Sequence, residues 1–158
     1  MKNNSELLAT QRLLIASGAL LIFFAGVAGF GFLFFLLGEI RLWPFPTIEY
    51  QLPGSVKAWR MTHLEGVLGG LIHWMLAALL PLMPFTIKSI RRMSIAIISV
   101  GWMFTIASSM DALFSDSRGL AYGGPLTNNI AFFLFYVGII MVMYILLAIA
   151  YRSLRAKA

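Results

Sequence analysis

An uncharged run of 25 residues, Leu13 to Leu37, constrains this chain more than any other feature. A helix of about 20 apolar residues is long enough to cross the hydrocarbon core of a bilayer, so this segment spans. A secretory signal has a shorter apolar region followed by small residues at a cleavage site. This run instead ends in Phe32-Leu33-Phe34-Phe35-Leu36-Leu37, so it is expected to be retained. Three more apolar segments follow. The second, about 63–87, carries His63, Glu65 and His73 and is bent or ended by Pro81 and Pro84. The third, 93–111, closes on Asp111, and the fourth lies at 126–151. The expected fold is an all-α integral membrane protein, with a single four-transmembrane-helix bundle over 1–158 and helices at about 13–38, 63–87, 93–111 and 126–151.

Composition excludes the soluble alternative. Of 158 residues, 60% are hydrophobic and 11% charged, where soluble domains average about 45–50% and about 25%. So short a chain has too little interior to hide that much apolar surface from water. The formal charge is +6, but the excess sits beside apolar runs, where cations orient membrane proteins, so no nucleic-acid partner is expected. The absence of cysteine removes disulfides, thiolate nucleophiles and Cys-ligated metals, leaving His, Met and carboxylates as possible ligands.

Orientation follows from the short connections. Lys2, Arg12, Lys88, Arg91, Arg92, Arg152, Arg155 and Lys157 fall on one side of a four-span arrangement, against Arg41, Lys57, Arg60 and Arg118 on the other. The more basic side faces the cytoplasm, so both termini are expected there. The long connection from Glu39 to Thr62, with Trp43-Pro44-Phe45-Pro46 and Pro53-Gly54, is expected to form a turn-rich cap at the outer interface.

Ionisable residues inside spans are costly, so each is a candidate for function. Glu65 and Asp111 stand near the outer ends of their helices, where solvation or capping also accounts for them. At 100° per residue, Gly66, Val67 and Gly70 share a helical face with His63. That flat face has two readings. Gly66-x-x-x-Gly70 lets another helix approach closely, or the flatness admits a planar macrocycle coordinated by the imidazole. His73 lies ten residues further on, about 15 Å along the helix and turned by roughly 80°. One helix therefore cannot supply both axial ligands. A second ligand would have to be His73 of another subunit or Met61, Met75 or Met103. A histidine-ligated iron with an open sixth position is simpler, and His73 is expected to be a hydrogen-bonded residue between helices. Arg60, one turn before His63, and Arg118 are candidate partners for propionates, although both also suit interfacial anchoring.

Three blocks carry a family resemblance: Leu52-Pro53-Gly54-Ser55 with Trp59, Arg60, His63, Leu68 and Gly70; Gly101-Trp102 with Thr105-Ile106; and Arg118-Gly119-Leu120-Ala121-Tyr122-Gly123. In these the chain resembles the styrene oxide isomerases as a divergent member. The resemblance implies a homotrimeric enzyme of the bacterial inner membrane that binds haem b, with His63 as the iron ligand. Ferric iron would act as a Lewis acid on a small apolar epoxide such as styrene oxide and yield the aldehyde. Trp59, Arg60, Gly66, Val67 and Gly70, which lie near His63 in the second segment, are the candidate cofactor-binding residues beside it. Where the family carries pocket-lining polar residues, this chain has Gly69, Val100 and Ser108. Asp111, Tyr122 and Asn128, with Asn129, are the polar groups near the outer loops that can replace them, and Trp74, Trp102 and Phe104 are candidate wall residues. Gly18, Gly26 and Gly29 offer close-packing surfaces on the first helix. Two other classes stay open: a haem protein for electron transfer or gas sensing, and a cofactor-free membrane protein in which His63 only hydrogen-bonds.

Overall fold

The structure is a computed structural model that describes residues 2–117, 119 and 121–155. Arg118, Leu120 and Lys157, which entered the sequence reading, lie outside the described residues. Four long helices account for nearly all of the fold: α1 (Lys2–Leu37), α2 (Val56–Leu79), α3 (Ile87–Leu113) and α4 (Leu126–Arg155). All four are long and apolar enough to cross a membrane.

The helix count agrees with the apolar runs, but the first three helices start before them and α2 ends at Leu79, short of 87. α1 begins eleven residues before Leu13, because a helix needs apolar residues only where it meets lipid, and its first turns lie outside that zone. α2 starts at Val56, not near His63, because Ser55 caps it, its Oγ accepting from the Ala58 amide at 3.2 Å. α3 likewise absorbs Lys88, Arg91 and Arg92 into its first turns, with the Thr86 hydroxyl accepting from the Ser89 amide at 3.4 Å. Pro81 has the expected effect: α2 tightens into a single 3-10 turn at Leu80–Leu82 and stops.

The helices run up and down in turn, so both termini emerge at one end. There Leu14, Leu76, Leu80, Ile90, Ile97 and Ile145, one or more from every helix, form the buried apolar cluster. Helix α3 packs on the other three helices, whereas α4 packs mainly on α3. The flanks of α1 and α4 carry exposed apolar side chains such as Phe23, Tyr144 and Leu147, as expected where the solvent is hydrocarbon. At the opposite end, the connection after α1 folds on itself through Ile40 and Ile48, which exchange backbone hydrogen bonds of 2.8 and 3.0 Å. Trp43 and Phe45 project from this connection, fully or largely exposed. Gly54 (φ +97°) brings it against the end of α3, where a Cβ would collide with the Ala112 carbonyl oxygen. Glycine is required there for both reasons.

Candidate functional site

Helices α1 and α2 meet along a seam of glycines and rings. The Trp59 ring fills the space beside Gly31, the His63 ring lies over Gly29, Gly66 abuts Ala25, Gly70 abuts Ile22, and the Trp74 ring lies over Gly18. A Cβ on Gly66 would stand 2.8 Å from the Ala25 Cβ, and one on Gly70 would stand 2.6 Å from the Gly18 carbonyl oxygen. The sequence left two uses open for the Gly66–Gly70 face, and within the chain α1 occupies it. A macrocycle therefore cannot lie flat on that face while the seam is closed.

His63 sits at the edge of this seam, partly exposed. Its Nδ1 is 2.8 Å from the Ala25 carbonyl oxygen. A carbonyl only accepts, so Nδ1 carries the proton and the neutral ring presents Nε2 as a lone-pair donor. Gly29 makes this bond possible. A Cβ there would stand 3.1 Å from Nδ1, so the ring would have to give by a few tenths of an ångström. One turn away, Gly26 is exposed, with no heavy atom within 4 Å of where its Cβ would be. On α1, then, neither the residue under the ring, Gly29, nor the exposed Gly26 one turn before it carries a side chain. Sequence reasoning saw these glycines only as packing residues and did not single out Ala25. The signal was a pair of glycines three residues apart, but their alignment with His63 depends on helix register between segments distant in sequence.

The other cofactor candidates surround the ring unevenly. Trp59 is buried at 5% exposure, and its Nε1 donates to the Pro53 carbonyl at 2.8 Å, pinning the start of α2 to the preceding loop. Arg60 is exposed one turn before His63, and Val67 is half-buried one turn after it.

Asp111, Tyr122 and Asn128 lie toward the same end of the bundle but in another seam. The Ser117 hydroxyl donates to Asp111 Oδ1 at 2.7 Å. Asn128 is buried; its Nδ2 donates to the Ala121 and Gly123 carbonyls at 2.8 and 2.7 Å, and its Oδ1 accepts from the Gly119 amide at 2.9 Å. Asn129 Oδ1 accepts from the Gly123 amide at 2.8 Å. These side chains fold the α3–α4 connection. Tyr122 is exposed and stacks edge-on with Phe132 and Phe133. His63 faces α1, while its neighbour Thr62 faces α3, donating to the Ser108 carbonyl at 2.7 Å. The chain's own fold sets His63 and the Asp111–Asn128 group in different seams of the bundle, a placement the sequence left open.

His73 is buried at 1% exposure between α2 and α3, its Nε2 donating to the Ile97 carbonyl at 3.2 Å. Its Nδ1 has no partner among the described residues. Gly101 lies against the ring, 2.9 Å from Nε2 to a built Cβ. Trp102 donates to the Ser17 hydroxyl at 3.1 Å, Trp74 to the Ile15 carbonyl at 3.0 Å, and Phe104 packs on Gly138. These three rings join helices. Val100 and Ser108 are buried, and Gly69 lies between Leu21 and Gly101. Glu65 is partly exposed, one turn into α2 beyond Met61.

Among the described residues, no group of three or more His, Asp or Glu side chains could hold a metal ion between them. A haem makes a smaller demand, a single imidazole with its second nitrogen fixed by a hydrogen bond, and His63 with Ala25 meets it. Fold and site together define a class: a polytopic four-helix membrane protein with one outward-facing, tautomer-fixed histidine. The chain belongs to the styrene oxide isomerase family, whose family model matches residues 10–154. It is also similar to the styrene-oxide isomerase of Pseudomonas fluorescens, at 28% identity over 154 residues, covering 94% of this chain and 90% of that one.

Proposed function

We propose that this protein is a multi-pass membrane isomerase, dependent on haem b, that converts a small apolar epoxide such as styrene oxide into the isomeric aldehyde. The observation that carries this reading is the His63 geometry in a chain of the styrene oxide isomerase family: Nδ1–H is bound to the Ala25 carbonyl over the side-chain-free Gly29, and Nε2 is left as the lone-pair donor. His63 would hold the iron, and Arg60 is the nearby cation for a propionate. When bound, ferric haem supplies a Lewis acid for the epoxide oxygen.

The chain's own residues do the rest. The Ala25 carbonyl holds the imidazole in one tautomer and one orientation, so the donor needs no rearrangement when charge develops. Apolar helix walls exclude water, which would otherwise capture an opened epoxide and give a diol. In the substrate, one carbon–oxygen bond breaks and a hydride moves to the neighbouring carbon as the carbonyl forms. The product is an isomer, and no electron donor enters the balance. His63 is only partly covered in a single chain, and assembly into a homotrimer would enclose that edge.

The test is the colour and turnover of protein purified from haem-supplied cells. A Soret band is expected, with phenylacetaldehyde formed from styrene oxide without reductant, and both are lost in His63→Ala. A band that persists with no conversion of any of several aryl and alkyl epoxides would leave electron transfer or gas binding in its place.

A further inference from the structure

At the end of the bundle that carries both termini, a groove of about 860 Å³ runs between α3 and α4. Its depth is apolar, walled by Met93 and Ala96 of α3 and by Met141, Ile145 and Ala148 of α4. Its mouth is cationic. Arg92 and Arg152 line it from opposite helices, and an adjoining hollow adds Arg155. Two of these charges rest on rings: the Arg152 guanidinium lies 5.6 Å from the centre of the Phe85 ring, and that of Arg155 lies 4.5 Å from the Tyr151 ring.

No acid on either wall neutralises them. Helix α4 contains no Asp or Glu, the one acid of α3 is Asp111 at its far end, and the ion pair among the described residues, Arg41–Glu39, belongs to the connection after α1. From Met141 to Arg152 the groove follows eleven residues of helix, about 16 Å, a depth that accommodates much of an acyl chain. A free anion would satisfy the arginines and leave the apolar depth unfilled. A neutral apolar molecule would do the reverse. A diacyl lipid with an anionic headgroup satisfies both, and basic pockets between transmembrane helices at the cytoplasmic side recognise such headgroups.

We propose that this groove binds an anionic phospholipid, its phosphate between Arg92 and Arg152 and one acyl chain along Ala96, Ile145 and Ala148. The site lies toward the opposite end of the bundle from His63, so it stands or falls independently of the isomerase reading.

Native mass spectrometry of the full-length protein tests it, with dioleoyl phosphatidylglycerol, dioleoyl phosphatidylcholine or glycerol 3-phosphate added. The unmodified protein should retain phosphatidylglycerol in preference to phosphatidylcholine. The Arg92→Gln/Arg152→Gln double variant should lose roughly twenty-five-fold in affinity, the product of two fivefold charge effects. Ala148→Phe, which narrows the groove and keeps both charges, should also lose lipid. Equal retention of the two lipids by the unmodified protein would overturn the proposal, a result that requires no variant to fold. So would undiminished binding in the double variant, or displacement of phosphatidylglycerol by equimolar glycerol 3-phosphate, which would mark a small-anion site. A shift in oligomeric mass without loss of lipid would assign the groove to a second copy of the chain and overturn it as well.

Discussion

The Nδ1 of His63 reaches the carbonyl oxygen of Ala25, 2.8 Å away, because residue 29 has no side chain. That relationship sets the tautomer of the histidine and the direction in which its free nitrogen points. A bulkier residue at 29 should displace the ring while leaving the ligand itself in the chain. Gly29→Val is expected to lower haem affinity 10- to 100-fold, the range found when the group orienting a metal-bound histidine is lost. His63→Ala should abolish the Soret band. Haem titration of the purified apoproteins measures both.

The glycines of the seam should separate packing from cofactor binding. Gly66→Leu and Gly70→Leu force side chains into the Ala25 Cβ and the Gly18 carbonyl, and each should destabilise the protein by about 1–3 kcal/mol through overpacking. Gly26 faces open space, so Gly26→Leu should change stability by no more than about 0.5 kcal/mol while reducing haem uptake. Unfolding in mixed micelles, alongside pigment yield, distinguishes the two behaviours. Equal pigment in Gly26→Leu would move the macrocycle away from α1.

Asn128 should behave as a structural clamp. Replacing it with Ala strands the Gly119 amide and the Ala121 and Gly123 carbonyls that it now satisfies. Leaving buried polar groups unpaired costs about 1–3 kcal/mol. Asn128→Ala is expected to lower the unfolding midpoint while the pigment spectrum of the folded fraction stays unchanged. An altered spectrum would show that this loop reaches the haem, for instance across a subunit boundary.

His73 is expected to be dispensable for ligation. The Ile97 carbonyl that it bonds is also the helical acceptor of the Gly101 amide, and its own Nδ1 is buried without a partner among the described residues. His73→Leu removes both the bond and the orphaned nitrogen, so the change in stability should stay within about 1 kcal/mol. The absorption spectrum should match that of the unmodified protein, and a spectral change would identify His73 as a ligand from a neighbouring subunit.

The membrane class, the count of four helices and an interruption by Pro81 were legible in the sequence because each depends on local properties: apolar length against bilayer thickness, and proline's missing amide hydrogen; that the interruption is a stop, with α2 ending at Leu79 and not 87, was not. His63 was legible as well, because an ionisable side chain in a span is conspicuous on energetic grounds alone. The starts of α2 and α3 were less so, because a capping hydroxyl, not the first apolar residue, begins each helix.

Tertiary structure alone decided what surrounds the histidine. Gly66 and Gly70 are equally flat whether a helix or a macrocycle lies on them, and the choice depends on α1, 41 to 52 residues earlier in the chain, where Ala25 and Gly18 meet them. The same holds for Asn128, whose three bonds require the loop before it to curl back onto its side chain. Periodicity assigns residues to a face of one helix. Which helix covers that face is set by the register between segments far apart in sequence, and only the packed bundle contains it.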